Sequence, residues 1–443
     1  MSWVAEALAG LELGDGRRNR RLINLGEDLA APPPASLPLA SGGWAEVKAA
    51  DRLLDNPALD GRDWLEVDTV RAGERLQGPP LVLCRQATTA ADFTSQPGLA
   101  GLGRLSYEAQ HGLYAHATLV VTPAGVALGV IDAWLWARGP KDEPQVKEST
   151  RWREGYDIVA DLAEQTPDTR LVYVADREGD LRELMDAAAR RGYPADWLVR
   201  AKHNRRTTPA GEKLWDRLAR SELLGEVEFM LPAAPDRPAR VVRQTLYRER
   251  VTLPAQRGAP ALAVTAILAR EEHPPTGAKA LDWRLLTNRV AETLEQVVEV
   301  IDWYRRRWLV EIFVRLWKSG CRVEALQLGT LERLERALVI YLIIAWRILH
   351  LVTWGRDCPN LPCEVVFDLE EWQAAWIVAH RSSPPATPPK LGEMVRLIAG
   401  FGGFLGRNSD GHPGPKALWL GLQRVREWAI GIAIAKEVFI PTG

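Results

Sequence analysis

The run from Ala337 to Trp354 is apolar except for Arg347 and His350. It is long enough to cross a bilayer, but a guanidinium and an imidazole inside it favour a helix enclosed in protein. A helix that is apolar all round needs other elements to cover it. With 443 residues, 47% of them hydrophobic, the chain has material for two or three folded domains.

Charge narrows the function classes. The formal net charge is -1, which is not the basic excess of a non-specific nucleic-acid binder. Any contact with DNA therefore has to come from local patches. Arg17, Arg18, Arg20 and Arg21 form one, Arg200, Lys202, Arg205 and Arg206 a second, and Arg305, Arg306 and Arg307 a third. Each alone is more often a solvated surface than a nucleic-acid site. Cys84, Cys321, Cys358 and Cys363 make no CxxC pair and no Cys/His cluster of zinc spacing, so no structural metal is expected. So few thiols suit a reducing cytoplasm, and the N-terminus lacks a basic region followed by an apolar stretch. A cytoplasmic protein without a membrane span is expected.

The pattern along the chain changes character several times. Residues Ser2 to about Asp60 read as helical, with an amphipathic helix over Trp3–Leu13, a Pro-rich link at Pro32-Pro33-Pro34 and a helix over Glu46–Leu54. Leu81–Cys84 reads as a buried strand. Ala115–Val121 and Val126–Trp136 flank Thr122-Pro123-Ala124-Gly125 as a hairpin, Arg151–Glu164 is a helix, and the strand Arg170–Ala175 ends directly at Asp176. From Glu226 to Leu268 the chain is β-like again, and helices resume at Ala291. A second Pro-rich break at Ser383–Pro389 precedes a final helical segment.

Tyr304, Arg307, Glu311 and Lys318 are spaced at offsets of three, seven and fourteen. That spacing predicts one narrow face of a single helix. One carboxylate among two cations and a phenol could hold a metal-bound phosphate, or could be a solvated face of i,i+4 pairs.

Tyr-x2-Arg-x3-Glu-x6-Lys resembles the signature of the insertion-sequence-four family of bacterial cut-and-paste DNA transposases, in its transposon-five type. Leu13-Gly14-Asp15-Gly16-Arg17-Arg18 resembles that family's N-terminal segment. Asp176-Arg177-Glu178 resembles the motif of its second catalytic Asp, and Trp283 with Leu285-Leu286-Thr287 the segment of its base-stacking Trp. Ile398–Phe404 resembles its C-terminal association domain. The resemblance implies an α/β multidomain protein with three parts. A helical DNA-end-binding domain spans 1–65. An RNase H-like catalytic core spans 66–380, with a β-rich insertion at about 220–275. A helical dimerisation domain spans 381–443.

It also implies the chemistry. Asp176 and Glu311 would be the second and third metal-holding acids of a site for two Mg²⁺ ions, with Mn²⁺ as substitute. Arg307 and Lys318 would hold phosphates, Tyr304 the end of the transposon strand, Trp283 a flipped base, and Arg200 and Lys202 the backbone. Arg17, Arg18 and Arg21 would grip the terminal repeat. The partners implied are double-stranded transposon-end DNA, target DNA and a second copy of the chain in a two-end complex. The reaction is strand cleavage, through a hairpin, followed by strand transfer.

One position departs from the pattern. Cys84-Arg85-Gln86-Ala87-Thr88-Thr89 aligns with a segment whose fourth residue carries the first catalytic Asp, and Ala87 stands there. Alanine ligates nothing, so the chain is expected to be catalytically impaired. Engineered inactivation, natural decay and compensation by Asp92 remain open, and the intact flanking motifs favour the first. The alternative function is a catalytically inactive, transposase-derived DNA-binding inhibitor or domesticated protein. A structure-specific nuclease is less consistent with the end-binding and association segments.

Overall fold

A computed structural model describes residues 2–30, 43–107, 109–140, 147–209, 211–231, 238–256, 258–407 and 409–439, without the side chains of 66–72. The Pro32–Pro34 link lies outside the described residues. Ten strands occur among them in chain order: β1 (Leu81–Asp92), β2 (Gly103–Arg104), β3 (His111–Val121), β4 (Ala127–Trp136), β5 (Arg170–Ala175), β6 (Asp196–Arg200), β7 (Leu223–Leu231), β8 (Arg240–Leu253), β9 (Leu262–Arg270) and β10 (Trp283–Thr287). The class is α/β, and the chain divides into two compact units. The sheet unit comprises Leu76–Ala87 and Val146–Trp308; the helix-rich unit comprises Met1–Arg75, Thr88–Gln145 and Leu309–Gly443.

In the sheet unit β1 runs parallel to β5, with Leu81 opposite Arg170 and Arg85 opposite Val174. β5 runs parallel to β6. The crossover between them carries the helix Arg182–Arg190, since parallel neighbours cannot be joined by a hairpin. The ladder continues antiparallel through β10, β9, β8 and β7, so the expected β-rich stretch is present as β7–β9. Successive side chains of β1 alternate between faces. Gln86 points at the helix Ser149–Gln165, where Tyr173 donates its hydroxyl to the Gln86 side-chain oxygen and to the Trp152 carbonyl. A Cβ on Gly155 would lie 1.6 Å from the Gln86 amide nitrogen, so only glycine lets helix and strand approach this closely. Arg85 and Ala87 take the opposite face.

In the helix-rich unit the expected hairpin is β3–β4. Thr122 donates its N–H to the Val126 carbonyl at 2.9 Å, and Gly125 takes φ +106. The apolar run of the sequence lies in the helix Leu331–Asp357. By length and composition that helix could cross a membrane, but 83% of its most apolar window is buried in the protein. Its two polar interruptions are accommodated. Arg347 sits 4.6 Å over the Trp3 ring and donates to the Val366 carbonyl at 2.8 Å. His350 bonds the Ala127 carbonyl through Nδ1 at 2.5 Å.

The helices Trp3–Ala7, Gly16–Leu29 and Trp44–Leu54 belong to the same unit. The expected helix over Trp3–Leu13 stops at Ala7. Gly10 turns the chain at φ +94, and the Asn19 side chain, rather than a helical ladder, satisfies the Leu13 N–H and the Leu11 carbonyl. At the other end, the helices Leu369–His380, Leu391–Phe401 and Pro415–Phe439 enclose a core of Leu351, Trp372, Met394, Ile398, Leu418 and Val425.

Candidate active site

The single helix expected through Tyr304, Arg307, Glu311 and Lys318 does not form. The helix Leu294–Arg305 ends, Arg306-Arg307 turn, and the chain resumes as the helix Trp308–Arg315 and a π segment Leu316–Gly320. The π segment closes with Cys321 N–H on the Leu316 carbonyl at 2.8 Å. The break has a local cause. Arg85 donates its Nη2 to the Trp303 carbonyl, the acceptor that Arg307 would use in an unbroken helix. Arg307 turns instead to the Tyr304 carbonyl at 2.9 Å. A side chain inserted into the i→i−4 ladder is a known origin of such breaks. The four signature residues consequently differ in environment: Tyr304 is buried, Arg307 and Lys318 half-buried, and Glu311 exposed.

Several of the expected site residues gather in the sheet unit. Asp176 ends β5 and caps the turn Arg177–Gly179, accepting the Glu178 N–H at 2.8 Å. Continuing the β1–β5 register beyond Arg85 and Val174 sets Ala87 level with Asp176 on the same face. Arg200 ends β6 and donates to the Asp282 carbonyl at 3.1 Å. Tyr304 has its phenol pKa raised by burial, against the lowering effects of Arg307 and Arg200, the latter its hydrogen-bond partner. Asp176 is close enough to raise it slightly. Glu178 is raised by partial burial first and by the Asp176 carboxylate second, against Lys202.

Trp283 is 8% exposed. One of its faces lies against Phe229, with ring centroids 5.8 Å apart at 12°, and Tyr304 meets it edge-on at 5.4 Å. Arg305 covers the Phe229 ring at 4.0 Å.

Two residues here carried no sequence signal that was used. Asp180 is buried and accepts the N–H groups of Lys202 at 2.7 Å and His203 at 2.9 Å, so it orients the loop bearing Lys202. An acid four residues after Asp176 was the available clue. Arg85 is fully buried, and burial first, then Arg306 and Arg307, push its pKa down. A charged residue inside an apolar strand was the clue there.

The remaining candidates lie in the helix-rich unit. Lys318 pairs with Glu324 at 3.1 Å, and Glu324 also accepts the Asp92 N–H at 2.9 Å. The Asp92 carboxylate accepts both the N–H and the hydroxyl of Thr94, which holds it below its ordinary pKa. It serves as a turn cap there, as Asp176 does at the end of β5. Arg17, Arg20 and Arg21 are exposed on the first turns of the helix Gly16–Leu29. Arg18 is half-buried and donates to the Leu13 carbonyl at 3.2 Å.

Three family profiles match the chain. Residues 1–59 match the transposase DNA-binding domain, 147–347 the transposase DDE domain, and 343–440 the transposase Tn5 dimerisation domain. The fold and these matches define a multidomain DDE transposase polypeptide, with a DNA-binding part at one end and a dimerisation part at the other. The chain belongs to the Tn5-type DDE transposases. A cryo-EM structure of the piggyBac transposase synaptic complex with hairpin DNA aligns over 71% of this chain and 55% of its own, at 12% identity and TM-score 0.34. The chain thus spans about half the length of that protein.

DDE transposase domains use divalent metal ions. The donor set here does not fit a two-ion site. Ala87 has no ligating atom, one Asp176 oxygen already caps a turn, and no group of three His, Cys, Asp or Glu side chains able to hold a metal occurs among the described residues.

Proposed function

We propose that the chain binds transposon-end DNA and pairs two ends in a dimer, but cleaves extremely slowly as written. The observation that carries this is Ala87 level with Asp176 on neighbouring parallel strands. Strands lie about 4.8 Å apart, so carboxylates at these two positions could share a cation. An alanine there leaves Asp176 without that partner. The same observation favours the second reading, a transposase-derived inhibitor that occupies ends without processing them.

The core is read as RNase H-like, in the divisions 1–65, 66–380 and 381–443. Asp176 and Glu311 are read, from the family resemblance alone, as the two acids retained from a set that with a first acid would hold Mg²⁺ or Mn²⁺. In an intact site the reaction is strand cleavage through a hairpin, then transfer to target DNA. Arg307 and Lys318 serve phosphates, Tyr304 the strand end, Arg200 and Lys202 the backbone, and Arg17, Arg18 and Arg21 the terminal repeat. Trp283 stacks on a flipped base only after Phe229 gives up its face, which the observed stack would resist. The Tyr-Arg-Glu-Lys quartet, taken as the insertion-sequence-four signature, supports these assignments.

The test is Ala87→Asp. That variant should gain Mg²⁺-dependent nicking of end DNA, with the unmodified chain binding the same duplex and leaving it intact. Equal nicking by both chains would remove position 87 from the reaction.

A further inference from the structure

The helix-rich unit holds a basic cavity built from none of the residues given a role above. The last turn of the helix Leu331–Asp357, the turn after it, the start of the helix Leu391–Phe401 and the loop at His412 enclose about 310 Å³. That is the small end of the range for ligand pockets, about 300–1,000 Å³. The frame is fixed by backbone contacts. Leu391 donates its N–H to the Leu361 carbonyl at 2.7 Å, and Gly392 to the Pro359 carbonyl at 3.0 Å. A Cβ on Gly355 would lie 2.8 Å from Val395 Cγ2, and one on Gly392 would lie 2.7 Å from Pro359 Cβ, so side chains at these positions would push the walls apart. Arg396 donates to the Gly411 carbonyl at 3.0 Å and ties down the loop that carries His412. The cavity is therefore preformed.

Its charge favours an anion. Arg356 is neutralised by Asp357 at 2.7 Å, and the Glu393 carboxylate is turned back to the Lys390 N–H at 3.4 Å. Lys390 and Arg396 are both exposed, and Arg396 is held by a carbonyl, which carries no net charge. Two cations thus stand against one carboxylate, and His412 adds a third when protonated. The helix Leu391–Phe401 also begins at the cavity, so its dipole acts in the same direction. The cations suit a phosphate, the Asn360 amide and the Glu393 carboxylate suit the hydroxyls of a sugar, and the walls of Val352, Pro359, Val395 and Pro413 suit the flat apolar faces of a base. We propose that this cavity binds a nucleoside monophosphate, either free or as the 5′-phosphorylated end of a strand. The proposal goes beyond the end-binding reading and does not depend on it.

The probe is 5′-AMP, titrated calorimetrically into the full chain, with adenosine and inorganic phosphate measured beside it. AMP should bind and raise the melting temperature, and adenosine should do neither. Inorganic phosphate should bind about tenfold more weakly than AMP. Lys390→Glu, at an exposed position, should leave the melting temperature of the free chain unchanged and weaken AMP binding about tenfold. Asn360→Trp fills the cavity without altering a charge and should abolish AMP binding, an effect that a diffuse positive surface would not show. A 5′-phosphorylated oligonucleotide that displaces AMP, where its 5′-hydroxyl form does not, would identify a strand end as the ligand; failure of both to displace it would identify the free nucleotide. Equal displacement by both forms would overturn the site, because any phosphate backbone would then suffice. No AMP binding, equal binding of adenosine, or AMP binding unchanged in both variants would also overturn it. Inorganic phosphate binding as tightly as AMP would overturn the nucleoside half of the proposal.

Discussion

His350 shows what a polar residue costs inside the longest apolar helix. Its ring lies between Trp346 and Trp354, at 5.4 and 4.7 Å, and burial pushes its pKa down to about 4. The unfolded chain takes up the proton near pH 6.5, so the folded state loses stability as the pH falls from about 6.5 to about 4, by about 3 kcal/mol. Above pH 6.5 the effect is absent. His350→Asn can keep a donor to Ala127 without a titrating ring. It should lower stability at pH 7 yet flatten the acid limb between pH 7 and 5 in urea melts; parallel curves for both chains would contradict this. At the DNA-binding end, Arg17 and Arg18 lie on one first turn, Arg17 exposed and Arg18 half-buried. Replacing both with Ala should reduce the salt slope of end binding by about two units with little change in melting temperature. An identical isotherm at several salt concentrations would exclude them from the interface. The sequence pointed to these arginines because they stand together in a basic cluster within the segment that resembles the family's N-terminal part. It did not point to Arg85, whose role depends on a carbonyl 218 residues away.

Elements pair where side chains are absent as much as where they are present. Gly155 lets the helix Ser149–Gln165 touch β1, with Gln86 held by Tyr173 at the contact. Gly155→Ala gains about 1 kcal/mol of helix propensity but forces overpacking worth about 1–3 kcal/mol, so a net loss is expected. A higher denaturation midpoint for this variant would show that Gln86 moves aside freely. β1, β5 and the β3–β4 hairpin were legible because apolar runs and the turn at Thr122–Gly125 are local signals, whereas β2, β6 and β10 were not read as strands. The signature helix was misread because helical spacing assumes an unbroken ladder, and Arg85 takes one of its acceptors.

For the molecule as a whole, assembly depends on what the C-terminal helix leaves uncovered. Trp419, Leu420, Leu422, Val425, Trp428, Ala429 and Ile432 recur at helical spacing, a stripe that suits either association with a second copy or packing within the protomer. The second holds for most of it: Trp419 and Val425 are buried, and Leu422, Trp428, Ala429 and Ile432 pack on the core of their own chain, leaving Leu420 partly exposed. The face that remains is Ile430, Ile434 and Val438, 53%, 55% and 63% exposed at four-residue spacing. In a chain with a dimerisation domain, that face suits a two-fold contact. Ile434→Asp with Val438→Asp should spare binding of one DNA end and abolish the two-protomer, two-duplex species in light scattering. Survival of the paired species would place the contact elsewhere. Deleting everything after Pro389 is a poorer test, because Leu391, Met394 and Leu418 belong to the same core as Leu351.

The amino-acid sequence alone determined the elements whose signals are local: strands by apolar runs, turns by Gly and Pro, helices by their period. It also carried the motifs that announced the family and the alanine that interrupts them. Only the tertiary structure decided where the signature helix breaks, which apolar stripe is core and which is free, and that the guanidinium two residues before the missing acid reaches the Trp303 carbonyl. Those outcomes depend on contacts between residues far apart in the chain, and periodicity within a segment carries no information about a partner that reaches in from outside it.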